Sequence, residues 1–142
     1  MAAALKSLDE LLDPEDVVAR SGDPTVRIDH ITHDSRLARP GTLFVAYRGV
    51  RQDVHAYIPD ALRRGASAAL VERPIEELRS QLALPDGAAL VQVRSARRAR
   101  SRIAAAMHGH PSRNLRVVGI TGTDGKTTTC TLVHGIVSSA GV

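Results

Sequence analysis

Glycine, lysine and threonine stand at the spacing of a polyphosphate cradle in Ile120-Thr121-Gly122-Thr123-Asp124-Gly125-Lys126-Thr127-Thr128. A phosphate chain is polyanionic and needs several donors at close range. Gly122 and Gly125 carry no Cβ, so the backbone can curl and point successive N–H groups inward. A helix beginning near Lys126 would add its free first-turn N–H groups and the positive end of its dipole. Lys126 would reach the β- and γ-phosphates, and the Thr127 hydroxyl would ligate Mg²⁺. Thr123, Asp124 and Thr128 complete the run. The strict signature is G-x-x-x-x-G-K-[ST], and this chain departs from it. Ile120 occupies the place of the first glycine, Gly119 lies one residue early, and the variant reads Thr-Gly-Thr-x-Gly-Lys-Thr. Asp124 would be repelled by phosphate, so its side chain is expected to turn away. The ligand implied is a nucleoside triphosphate with Mg²⁺, and Lys126 and Thr127 are the residues expected to act on it.

Such a loop works only between a strand and a helix. The apolar, β-branched run Leu115–Thr121 is expected to be that strand, and the helix follows from Lys126. Upstream, Leu5, Leu8, Leu11 and Leu12 recur at helical spacing and predict a helix ending near Asp13-Pro14. Strands are expected at Val26–Thr32, Thr42–Tyr47, Ala68–Val71 and Ala89–Val93. Helices are expected at Ile58–Arg64, closed by Gly65, at Pro74–Leu82 and at Ser95–His110. Arg39-Pro40-Gly41 and Pro85-Asp86-Gly87 read as turns. Together these make an α/β unit of about 110 residues, a joint near His110–Asn114, and the opening strand, loop and helix of a second domain. A phosphate-loop domain needs several parallel strands. The chain therefore reads as the front of a longer protein, expected to be catalytically inactive by itself.

The chain has 142 residues, is 43% hydrophobic and only 2% aromatic, so its core must rest on Leu, Val, Ile and Ala. Its net charge of +4 is concentrated in Arg94, Arg97, Arg98, Arg100 and Arg102. These arginines mostly oppose an apolar stripe of Ile103, Ala106 and Met107, which reads as a solvated helix face rather than a nucleic-acid surface. Few aromatics are available to stack on bases. Cys130 is the single cysteine, which excludes an intrachain disulfide, fits a reducing compartment and reads as a packed thiol. His108 and His110 have no further ligands nearby at metal spacing and read as helix-end residues; His134 reads as a surface or packing residue. No signal-peptide core and no run near ~18 apolar residues is present. A cytoplasmic location with no membrane span is expected.

Further motifs run through the first hundred residues. They are Thr32-His33-Asp34-Ser35-Arg36, Pro40-Gly41-Thr42-Leu43-Phe44-Val45-Ala46, Gly49, Asp53-Val54-His55, Tyr57-Ile58-Pro59-Asp60-Ala61 and Gly65-Ala66. In this order they resemble the N-terminal domain of the Mur ligases, which build the peptide stem of bacterial peptidoglycan. The phosphate loop matches the family's ATP loop, so the resemblance covers about residues 25 to 142. It implies a small Mur-ligase-type α/β domain at 1–112 that binds the UDP end of the substrate. Residues 113–142 would be the start of a truncated central ATP-binding domain. By the same resemblance, His33, Ser35, Val50, Arg51 and Gln52 would contact the substrate. Thr42 stands where the family has Asp, and Val54 where it has Gly. The Thr-Gly-Thr-x-Gly-Lys-Thr-Thr loop looks most like that of the ligase adding the third stem residue, a diamino acid, to UDP-N-acetylmuramoyl-L-alanyl-D-glutamate. The carboxylate would be activated by ATP as an acyl phosphate, and the full-length enzyme would be a monomer. The alternatives are the ligase adding D-alanyl-D-alanine, a non-catalytic UDP-sugar-binding module, and an unrelated phosphate-loop switch protein, which would leave the Asp-Ser-Arg motif unexplained.

Overall fold

The computed structural model describes residues 5–49, 52–82, 85 and 87–141. They form two compact units, Met1–Pro111 and Ser112–Val142.

In the first unit, β-branched and alanine-rich runs with polar residues nearly absent make strands buried on both faces. These are β5 (Thr42–Val45), β6 (Ala68–Val71) and β7 (Ala89–Val93), with the shorter β4 (His30–Thr32) beside β5. The sheet order is β2-β7-β6-β5-β4, where β2 is Val17–Ser21. Strands β4 to β7 run parallel, with Thr32 opposite Phe44 and Leu70 opposite Val91. Strand β2 joins antiparallel to β7.

The period of two along each strand divides the core. Leu43, Val45, Leu70, Val91 and Val93 pack with α1 (Leu8–Leu11) and α4 (Ala96–Met107). Phe44, Ala46, Ala69, Val71 and Leu90 pack on the other side with α2 (Ile58–Arg63) and α3 (Ile75–Gln81). The result is a three-layer α/β/α sandwich. Helix α2 ends in a Schellman motif: Gly65 at φ +98° donates to Leu62 O, and Ala66 N donates to Ala61 O.

Three sequence expectations change in this unit, and one strand was not foreseen. The leucine-spaced helix shrinks to the single turn of α1, opened by a capping box between Ser7 and Glu10. Lys6–Ser7 instead forms β1, paired with β3 (Arg27–Ile28). The expected strand Val26–Thr32 splits at Asp29, because β3 pairs with β1 while β4 pairs with β5. Strand β2 was not legible. The arginines of α4 are not merely solvated: Arg102 bonds Asp13 and Asp16, Arg98 bonds Asp16, and Arg97 lies over Tyr47.

In the second unit, α5 (Lys126–Ser139) follows the glycine loop. The expected strand Leu115–Thr121 does not form. A strand exists through its ladder partners, and no described segment of this unit pairs with it. Cys130, expected to be packed, is exposed on α5; among the described residues of this unit there is no strand and no second α-helix to cover it.

Candidate functional site

The parallel strands β4 and β5 and the β7–α4 connection point their carboxyl ends toward one cavity of about 1010 Å³. This is where open α/β sheets hold ligands. His33, Asp34 and Ser35 follow β4 directly, Tyr47 and Gly49 follow β5, and Arg97 lies in the first turn of α4; all line the cavity with Gln52. His33, Ser35 and Gln52, far apart in sequence, are thus brought together. Val50 and Arg51 lie outside the described residues.

Each wall is built locally. After β4, Asp34 caps a turn of 3-10 helix at Ser35–Leu37 by accepting from Arg36 N at 3.0 Å. Its carboxylate also takes the Arg36 guanidinium through two nitrogens, Nε at 2.9 Å and Nη2 at 2.6 Å. The Arg36 side chain and amide together lower the Asp34 carboxyl from 3.8 to about 2. Buried Ser35 faces Asp60 from α2. The Ser35 hydroxyl first, then Arg64 and Arg63, hold the Asp60 carboxyl below its usual range. Gly49 N donates to Gln52 O at 3.0 Å, and a Cβ on Gly49 would stand 2.5 Å from that oxygen, so this position requires glycine. The Gln52 side-chain amide donates to the Tyr57 hydroxyl.

Behind this loop lies a polar network that sequence reasoning missed. Buried His55 accepts from Glu72 N at Nε2, 3.1 Å, so its proton sits on Nδ1 and is donated to Asp53 Oδ1 at 2.6 Å. Asp53 Oδ2 takes Arg73 Nη2 at 2.6 Å. Arg73 Nε is buried without a partner among the described residues. The Glu72 carboxylate accepts from Arg48 N at 3.2 Å and from Ala96 N at 2.8 Å, tying the strand ends to the start of α4. Burial pushes the Asp53 carboxyl up, but the His55 hydrogen bonds and the Arg73 charge outweigh it and leave it below its usual value.

A pH dependence follows. Carboxyls whose folded value is depressed stabilise the fold above their unfolded value, and that contribution is lost as pH falls through the folded value. Asp34 and Asp53 both have an ordinary value of 3.8. The urea midpoint should therefore be flat from about pH 6 to 5 and fall below about pH 4. Asp53→Asn should flatten that fall; an unchanged acid limb in the variant would count against the network.

The two family departures are accommodated. Val54 donates its N–H to Tyr47 O at 3.1 Å and does not occupy the left-handed region, so no glycine is needed there. Fully buried Thr42 accepts from Arg39 N through Oγ1 at 3.1 Å, an acceptor role a carboxylate would also fill.

In the second unit, Gly125 at φ +74° forms the N-cap of α5 and leaves the first turn without a side-chain cap. Lys126 Nζ arches over the loop onto Gly122 O at 2.6 Å and Thr123 O at 3.1 Å. The Thr127 and Thr128 side chains are exposed. A set of uncapped helix N–H groups, an ammonium and hydroxyls is chemically suited to a polyanion. Among the described residues, no three His, Cys, Asp or Glu side chains gather as a metal site. His108 caps the end of α4, and His134 is exposed on α5.

The first unit is thus an α/β/α sandwich with a cavity at the carboxyl ends of its parallel strands. Residues 27–110 match the family described as "Mur ligase family, catalytic domain". The chain is 44% identical over 138 residues to a UDP-N-acetylmuramoyl-L-alanyl-D-glutamate--2,6-diaminopimelate ligase of Geobacter sulfurreducens, covering 97% of this chain and 25% of that protein. It is 49% identical over 111 residues to a UDP-N-acetylmuramyl-tripeptide synthetase of a Roseiflexus species, covering 78% and 21%. The UDP-N-acetylmuramoylalanyl-D-glutamyl-2,6-diaminopimelate--D-alanyl-D-alanyl ligase structure from Acinetobacter baumannii superimposes with a TM-score of 0.65 at 27% identity, covering 98% and 29%. The chain belongs to the Mur ligase family. It spans about a quarter of the length of the curated relatives it matches.

Proposed function

We propose that this chain is the substrate-docking part of an ATP-dependent ligase of peptidoglycan precursor synthesis. The enzyme would join a diamino acid of the 2,6-diaminopimelate class to UDP-N-acetylmuramoyl-L-alanyl-D-glutamate. The observation that carries this is the convergence of His33, Ser35 and Gln52 on one cavity at the strand ends, in a chain 44% identical to a ligase named for that reaction. The greater identity to diaminopimelate-adding relatives than to the D-alanyl-D-alanyl ligase structure favours the third-residue reading.

The chain's own residues have separable tasks. The Ser35 hydroxyl, held beside Asp60, offers an acceptor lone pair to a base N–H. The loop pinned by Gly49 and Gln52 fixes one side of the nucleotide, and His33 supplies a polar edge. In the second unit the first-turn amides of α5 and Lys126 would hold the phosphates of ATP, and Thr127 would hold Mg²⁺. Bound there, ATP supplies the phosphoryl group that makes a carboxylate electrophilic enough for an amine to attack. Lys126 would orient that group and offset its charge.

Calorimetric titration of the 142-residue chain with UDP-N-acetylmuramoyl-L-alanyl-D-glutamate tests the docking part. Saturable binding is expected, weakened about 3- to 10-fold in Ser35→Ala, the worth of one neutral hydrogen bond. Equal affinity in the variant, or no saturation by the wild type, contradicts it.

A further inference from the structure

The cavity walls carry three described arginines, and their charges are not equivalent. Arg36 is spent on Asp34 and Arg63 on Asp60, at 2.6 and 3.0 Å. Arg97 has no carboxylate partner among the described residues. Its guanidinium sits over the Tyr47 ring, 5.3 Å from the centroid, and Tyr47 in turn lies 6.0 Å from the His33 ring. Helix α4 does not supply a free anion site at its first amide, because Ala96 N already donates to Glu72 Oε1 at 2.8 Å. Among the described residues, Arg97 is therefore the arginine of this wall without a carboxylate partner.

Its chemistry is specific. A guanidinium placed over an aromatic face is held by the ring's negative quadrupole, while its N–H donors stay at the edge. That edge is a planar fork matched to two phosphate oxygens. Tyr47 thus holds Arg97 in place before any ligand arrives, which lowers the entropy lost on binding. We infer that Arg97, positioned by Tyr47, binds the diphosphate of a nucleoside diphosphate in this cavity. The inference rests on the docking reading above, and adds to it the group that separates a charged nucleotide from a neutral nucleoside.

The test compares UDP with uridine, titrated calorimetrically into wild type, Arg97→Met and Arg97→Lys at two salt concentrations. Arg97 is exposed, and methionine keeps an unbranched stem against Tyr47, so both variants should melt within a few degrees of wild type. Wild type should bind UDP more tightly than uridine. Arg97→Met should lose about 10- to 100-fold in UDP affinity, the range for a charge-assisted hydrogen bond, with uridine binding unchanged and a weaker salt dependence. Arg97→Lys should fall between, because it keeps the charge and loses the fork. Equal UDP affinity in wild type and Arg97→Met overturns the inference, as does parallel loss of uridine and UDP, which marks general damage. Wild type binding uridine as tightly as UDP also overturns it, yet leaves the docking reading standing. Failure to bind either ligand removes both.

Discussion

Phe44→Ala is expected to destabilise the first unit by about 3–5 kcal/mol, enough to leave much of it unfolded at room temperature. Phe44 is the chain's one phenylalanine and is fully buried at the centre of β5. It packs on the α2 and α3 side of the sheet, where Ala46, Ala61, Ala66, Ala69 and Ala88 share its layer. Alanines have no side-chain length with which to fill the vacated space, so the hole persists and adds to the lost transfer energy. Urea titration followed by circular dichroism gives the difference. A loss below about 1 kcal/mol would mean that the layer collapses around the cavity or is not packed as described.

His55→Ala should cost about 2–4 kcal/mol, an effect out of proportion to one ring. At 4% exposure the residue satisfies two partners at once, Glu72 N–H and the Asp53 carboxylate. Its removal leaves the first as an orphan donor and strips the second of one of its two 2.6 Å bonds. Arg73, already holding one unpartnered buried nitrogen, then depends on a loosened Asp53. Since Arg48 and Asp53 bridge across the base of the Gly49–Gln52 turn, nucleotide affinity should fall with stability. Chemical denaturation and UDP titration of the variant check both halves. A variant as stable as wild type, with unaltered affinity, would show that the network neither braces the fold nor the loop.

The central sheet was legible because strands buried on both faces must be apolar along their whole length. Ala68–Val71 and Ala89–Val93 have the bounds expected from sequence, and Thr42–Val45 falls two residues short at its end. Helix α4 was legible from its apolar stripe. What failed did so for tertiary reasons. Val17–Ser21 is a half-buried edge strand defined by its pairing with β7, and nothing local marks it. Val26–Thr32 reads as one strand, yet its halves serve different sheets. Leu5–Leu12 has helical spacing, but Lys6 and Ser7 are claimed by a strand partner. Leu115–Thr121 has strand composition and no ladder. The candidate site divides along the same line. His33, Ser35 and Gln52 sit in short motifs that the sequence displays. Tyr47 and Arg97 meet only through the fold, and Arg97 was hidden in a run of arginines of which Arg94, Arg98 and Arg102 turn to the Glu15 carbonyl, Asp16 and Asp13.

The docking claim is tested most directly by a crystal structure of the 142-residue chain grown with saturating UDP-N-acetylmuramoyl-L-alanyl-D-glutamate. The expected result is an ordered uridine diphosphate in the cavity below Tyr47, within hydrogen-bond distance of Ser35 and Gln52. Nucleotide bound elsewhere, or an empty cavity at saturating ligand, would contradict it.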